Sequence, residues 1–379
     1  MTRWIGAFAL VLLGLASLRS QDVTECAKFN ACHKEHGKEK IDCPQCSKAK
    51  IPSEDKACSA CSSKAKICKH CGLPKKGAGG SKPAGGGTIQ DAVQLVTVAD
   101  MKEILAIIAA DDMEGRQTGT AGIKKAREYI IKRLKEFGAK SLASDGSYTL
   151  PWGNCANIGV LHEGSDPKLK GEYVIIGSHY DHIGMRSGGG GGDNINNGAD
   201  DNGSGTTTNL TICKAICKSG FRPKRSIIQL WFSGEEIGLR GSAAYCQNPA
   251  IPHGQCVMML NCDMLGRNPE RPATLYGVGS STQFKPIVDK ALAAVPNHGI
   301  KPMMEKGQYF MRSDQVNFWN AGVPVMFLCC GEHPDYHKPT DHADRIAYDR
   351  MQGLGRGALA ILLEASNWPE RPAKDPNYK

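Results

Sequence analysis

The chain has 379 residues, 41% hydrophobic and 22% charged, which exceeds one small module and excludes wholesale disorder. Of its net charge of +9, residues 1–20 contribute two arginines and residues 21–87 thirteen lysines against seven acids, leaving +1 for the rest. The basic character is therefore local, and it gives little ground for a nucleic-acid or membrane-surface role in the main part of the chain.

Residues 1–20 read as a signal peptide. Arg3 opens it, and Trp4 to Leu18 is almost wholly apolar. That run is about 15 residues, short of the ~20 a spanning helix needs, so no stable membrane anchor is expected. Cleavage fits after Ala16 or after Ser20, and the mature chain is expected to be secreted or periplasmic. Residues 21–72 form a cysteine-rich segment. Eight of the 16 cysteines lie between Cys26 and Cys71, six of them in the pairs Cys43/Cys46, Cys58/Cys61 and Cys68/Cys71. The segment is too rich in lysine and too poor in apolar residues to fold on its own core, so cross-links or metal must hold it. An oxidising compartment favours disulfides, with structural zinc the alternative. Its partner is not legible, and export conflicts with a nucleic-acid one. Residues 73–88 are a Gly-, Lys- and Pro-rich linker. Residues 89–368 form the catalytic-sized unit, and residues 369–379 a polar, proline-containing tail expected to fray.

Within the large unit, Ile123, Ala126, Ile130, Leu134 and Phe137 recur at spacings of three and four, which predicts a helix over 121–137 stopped by Gly138. Further helices are expected over 206–217 and 283–294. Short apolar strands are expected at 173–177, 226–232, 257–260 and 323–328. Strands interleaved with helices indicate an α/β fold, a mostly parallel sheet sandwiched by helices.

Each of those strands runs into ionisable residues: His179 and Asp181, Glu235 and Glu236, Asp263, then Asp335, Tyr336 and His337. In open α/β sheets, sites form beyond the strand C-termini, so these positions can converge. Imidazole plus carboxylate without cysteine suits zinc and similar divalent ions. Two adjacent glutamates at a strand end are costly unless a cation neutralises one. Asp200 and Asp201 precede a Gly/Ser helix start, where either could equally be an N-cap. His182, His333 and His342 read as structural or surface residues. The glycine run 188–192 lacks the ending of a phosphate loop and reads as an inserted flexible loop.

The stretches GSHYDHIG (177–184), GADDNGSG (198–205), FSGEEIGLRGS (232–242), NCDMLGR (261–267) and YHKPTDHADRI (336–346), with MEGRQTGT (113–120) upstream, resemble the co-catalytic di-zinc aminopeptidases, the bacterial leucyl-aminopeptidase-like metallopeptidases. Glutamate carboxypeptidase and glutaminyl cyclase are relatives of that family. The resemblance spans roughly residues 98–365 and implies a zinc-exopeptidase-like fold. It implies two Zn2+ per chain: His179 and Asp263 on one, Glu236 and His337 on the other, Asp201 bridging. Glu235 would be the general base, Asp181 would orient His179, and Tyr336 or Tyr309 would be an oxyanion donor. The implied substrates are peptide or protein N-termini. A glutaminyl cyclase-like or carboxypeptidase-type enzyme, or a non-enzymatic receptor-like protein, are the alternatives on the same fold. Ser313-Asp314-Gln315 departs from the family's usual Ser-Asp-His, which puts local packing or substrate contacts in question but removes no expected ligand.

Overall fold

A computed structural model describes residues 87–186 and 192–378 and, further upstream, two short strands. The expected signal peptide, the linker up to residue 86, most of the cysteine-rich segment and glycines 188–191 lie outside the described residues. The chain divides into two units, Met1–Gly85 and Gly86–Lys379. In the first, β1 (Lys40–Cys43) pairs antiparallel with β2 (Cys46–Pro52).

The second unit begins with α1 (Ile89–Gln94), α2 (Val98–Ile108) and α3 (Ala121–Phe137), then β3 (Lys140–Ser141), β4 (Thr149–Trp152), β5 (Cys155–His162) and β6 (Tyr173–His179). It continues with α4 (Gly205–Ser219), β7 (Ser226–Phe232), α5 (Arg240–Gln247), β8 (Cys256–Cys262) and β9 (Ala273–Tyr276). It ends with α6 (Phe284–Ala293), β10 (Ile300–Pro302), α7 (Gln315–Asn320), β11 (Val325–Cys329) and α8 (Tyr348–Asn367). Local chemistry sets several boundaries. Thr88 and Asp91 form a reciprocal capping box on α1, and Thr97 caps α2. Gly138 ends α3 in the left-handed conformation, at φ 80°.

Nine strands form one sheet in the order β10-β9-β11-β8-β6-β7-β5-β3, with β4 paired to β5. The central four, β11, β8, β6 and β7, run parallel. Their alternation sorts side chains to opposite faces. Val174, Ile176, Met258 and Leu260 meet α4 and α8, whereas Ile175, Met259, Leu230 and Phe318 form a core on the other side. A third cluster joins α2 and α3 to β5 through Ile104, Ile130, Leu134, Ile158 and Trp231.

The tail does not fray. Tyr378 packs edge-on against Phe310 and Trp319, Lys374 Nζ lies 3.5 Å from the Trp319 ring centroid, and Arg371 pairs with Glu172 at 2.6 Å. Aromatic and cationic side chains among its polar residues find an apolar shelf, which composition alone conceals.

Candidate metal centre

Because β6, β7, β8 and β11 are parallel neighbours, their C-terminal ends open on one edge of the sheet, and the segments that follow them converge there. All five expected ligands stand together. His179 Nε2 lies 3.4 Å from Asp201 Oδ1 and 3.4 Å from Asp263 Oδ1. The other Asp201 oxygen, Oδ2, lies 3.0 Å from His337 Nε2, which is 3.2 Å from Glu236 Oε2. One carboxylate thus faces two imidazole–carboxylate pairs, one with each oxygen. Asp200 takes no part: Oδ1 accepts the Gly266 N–H at 2.6 Å, and Oδ2 lies 3.3 Å from His333 Nε2, away from the cluster.

Backbone geometry carries these positions. Asp341 Oδ2 accepts the N–H groups of Asp200 and Asp201 at 2.9 and 3.2 Å, which fixes the turn before α4. Gly198 opens that turn at φ 56°, and a Cβ there would stand 2.2 Å from Asp201 O. His337 has φ 55°, uncommon for a non-glycine residue, and Arg186 binds its carbonyl at 3.2 Å.

Asp181 serves chiefly the two glutamates. Its oxygens accept the Glu235 N–H at 3.2 Å, the Glu236 N–H at 3.3 Å and the Thr118 hydroxyl at 2.9 Å. His179 Nδ1 is nearer to the Asp181 main-chain carbonyl, at 3.2 Å, than to its carboxylate, at 3.7 Å. Tyr336 stacks on His337 with centroids 3.8 Å apart. Tyr309 packs edge-on against Tyr276 with Arg312 over its face.

Sequence reasoning missed two buried residues. His182 Nδ1 lies 2.7 Å from Glu236 Oε1, a contact across 54 positions that no local motif signals. Arg116, in the upstream motif, is fully buried and donates to the carbonyls of Ile108, Tyr180, Asn197 and Gly198. It thereby ties together the loops on which the cluster rests. Burial pulls its guanidinium down to about 10, opposed by Asp201, Asp181, Asp341 and Glu236. Gln315 has a structural role: its side chain accepts from Asn261 at 2.9 Å and donates to Phe310 O at 2.8 Å.

The acids repel one another. Burial, opposed by His179 and reinforced by Asp263, Asp314 and Glu236, pushes the bare Glu235 carboxyl well above its usual range. Burial also works against the charge of Asp201, but the imidazoles of His179 and His337 beside it, with His182, hold that carboxyl well below. His179 Nε2, Asp263 Oδ1 and His337 Nε2 are buried without a hydrogen-bond partner. Orphaned nitrogen and oxygen atoms aimed at one another across a surplus of negative charge fit divalent cations, and this donor set suits zinc.

Known proteins resemble this chain in sequence and fold. Leupeptin-inactivating enzyme 1 of Streptomyces exfoliatus is 28% identical over 242 residues, 64% of this chain and half of that enzyme's length. Among solved structures, the LapA aminopeptidase of Legionella pneumophila superposes with a TM-score of 0.59 at 17% identity, over 74% of this chain and 75% of that one. A Bacteroides thetaiotaomicron glutaminyl cyclase superposes at 0.55 with 17% identity, over 70% of this chain and 97% of that one, so the likeness to solved structures shows the fold alone. Residues 157–362, more than half of the chain and the span holding the whole carboxylate–histidine cluster, match the model of peptidase family M28, and the chain belongs to that family.

Proposed function

We propose that this chain is an exported metallo-exopeptidase that removes N-terminal residues from peptides, with two zinc ions held by His179/Asp263 and Glu236/His337 and bridged by Asp201. The observation that carries the reading is the Asp201 carboxylate, each oxygen facing a separate imidazole–carboxylate pair. The names of relatives, leupeptin-inactivating enzyme and leucine aminopeptidase, support the substrate class. Export rests on the apolar run of residues 4–18.

Bound zinc would supply Lewis acidity toward the scissile carbonyl and lower the pKa of a water. The chain's own residues do the rest. Glu235 accepts the proton of the attacking water and returns it to the departing amine. Asp181 holds the main chain of both glutamates, so base and ligand stay in register. Tyr336, stacked on His337 with centroids 3.8 Å apart, is the candidate donor to the developing oxyanion.

The test is a panel of aminoacyl and N-acetylated peptide substrates, with and without chelator, alongside elemental analysis. Release of free N-terminal residues from unblocked peptides only, lost on chelation, with close to two zinc ions per chain, is expected. Equal cleavage of blocked substrates, or full activity with one metal, would refute it. Release of cyclised N-terminal glutamine would instead assign the cyclase reaction.

A further inference from the structure

A second convergence of ligating atoms lies on the far half of α4. Cys213 and Cys217 are four residues apart and so share one helix face. His162, the last residue of β5, closes over them, with Nε2 4.0 Å from Cys213 Sγ. One ligating atom from each of the three lies within 4.8 Å of the others. The ring is held there by Gln229, whose Oε1 is 2.7 Å from His162 Nε2 and whose amide nitrogen is fixed by Asn209 O and Oδ1 at 2.9 and 2.7 Å. Cys213 is buried, whereas Cys217 and His162 are half-buried and line a cavity of 270 Å³ with Glu163 and Lys140 among its walls.

We propose that Cys213, Cys217 and His162 bind one thiophilic divalent cation of the zinc class, with the fourth position open to water from the cavity.

Two arguments favour ligation over a disulfide. Cβ atoms at i and i+4 of a helix stand about 5–6 Å apart, beyond the ~3.5–4.5 Å a disulfide requires. The same spacing suits two ligands of a single ion, as in paired histidines on a zinc-binding helix. Two thiolates and an imidazole form a softer set than the nitrogen and oxygen donors of the acid cluster, so the two sites differ in chemistry. Ligation through Nε2 exchanges its contact with Gln229 for the ion. The proposal is independent of the peptidase reading, because none of the three residues belongs to that cluster.

Cobalt(II) distinguishes the sites. Sulfur-to-cobalt charge transfer absorbs in the near ultraviolet, and the acid cluster contains no sulfur ligand. Because cysteines 26–71 also offer sulfur, the full chain is titrated beside a Cys213→Ala/Cys217→Ala double variant. The variant is expected to lose one cobalt equivalent and the corresponding share of the charge-transfer band. His162→Ala should weaken that equivalent by about tenfold or more, since losing a ligand costs no less than losing an outer partner. In the unmutated chain, zinc should slow alkylation of Cys217, mapped by peptide mass, by about tenfold or more, and His162→Ala should abolish the protection. This arm stands even where the double variant fails to fold. Unchanged alkylation of Cys217 with zinc, identical cobalt spectra for chain and folded variant, or a 213–217 disulfide in chain isolated without reductant would each overturn the proposal.

Discussion

Glu235 and Glu236 are adjacent, chemically identical and assigned different work, so their amide substitutions should fail differently. Glu235→Gln preserves shape and leaves intact the main-chain bond to Asp181 at 3.2 Å. It removes the proton acceptor. Loss of a general base is worth about 10²–10⁴ in rate, or about 3–5 kcal/mol of barrier. Metal content should be unchanged, because the proposed ligands are His179, Asp201, Glu236, Asp263 and His337, although a Glu235 carboxylate oxygen also lies within 4.8 Å of ligating atoms of His179 and Glu236. Glu236→Gln changes a group that faces His337 at 3.2 Å with one oxygen and His182 at 2.7 Å with the other. An amide cannot serve both positions as an anionic acceptor, so metal affinity should fall by about 10–100-fold or more, with turnover partly restored in excess zinc. Zinc content after dialysis and kcat at rising zinc separate the two. Metal loss in Glu235→Gln with retention in Glu236→Gln would refute the division of roles.

Three further outcomes are expected. His182→Ala should lower zinc affinity by about 10–100-fold, readable in competition with a chelator, because Glu236 loses the partner that orients it. Arg116→Leu should destabilise the second unit by about 3–5 kcal/mol in urea unfolding, since it strands four carbonyl acceptors and uncompensated carboxylates in the interior. Glu172→Gln should matter only above mildly acidic pH. Burial pushes the Glu172 carboxyl up, but hydrogen bonds from Arg225 and Arg371 and their charges together outweigh it and hold the carboxyl below its usual range. Its stabilisation is therefore present above the unfolded value of about 4.3 and lost as pH falls through the depressed folded value. Unfolding midpoints of chain and variant should converge as pH falls below the unfolded carboxyl value, and a constant gap would contradict the assignment.

The sheet's centre and the acid cluster were legible for one physical reason. A strand buried on both faces must be an apolar run, and ionisable residues at its end cannot be packing residues. Strands expected at 173–177 and 226–232 are found at Tyr173–His179 and Ser226–Phe232, and the helix over 121–137 has those bounds. Helix α8 escaped notice because Gly353, Gly355 and Gly357 argue against helix. Gly353 is there for close approach: a Cβ at that position would stand 2.8 Å from the Asn297 main-chain carbonyl oxygen. His182 and Arg116 were illegible as site residues because their partners are remote in sequence. Between Asp200 and Asp201 the acids alone do not choose; the family resemblance implied Asp201, and that is the carboxylate the fold turns toward the imidazoles.

The margins of the sheet bear on what the protein can do with an extended chain. A peptide is itself an unpaired strand, and any long open edge would capture it by main-chain hydrogen bonding. Here the margin beyond β5 is shared by β3, of two residues, and β4, of four with Pro151 among them, while β10 offers three and ends at Pro302; neither proline has an N–H to donate. Among the described residues of this sheet, both margins are short and interrupted by proline. On the proposed function, engagement of a peptide is then expected at the crevice where the parallel strands end.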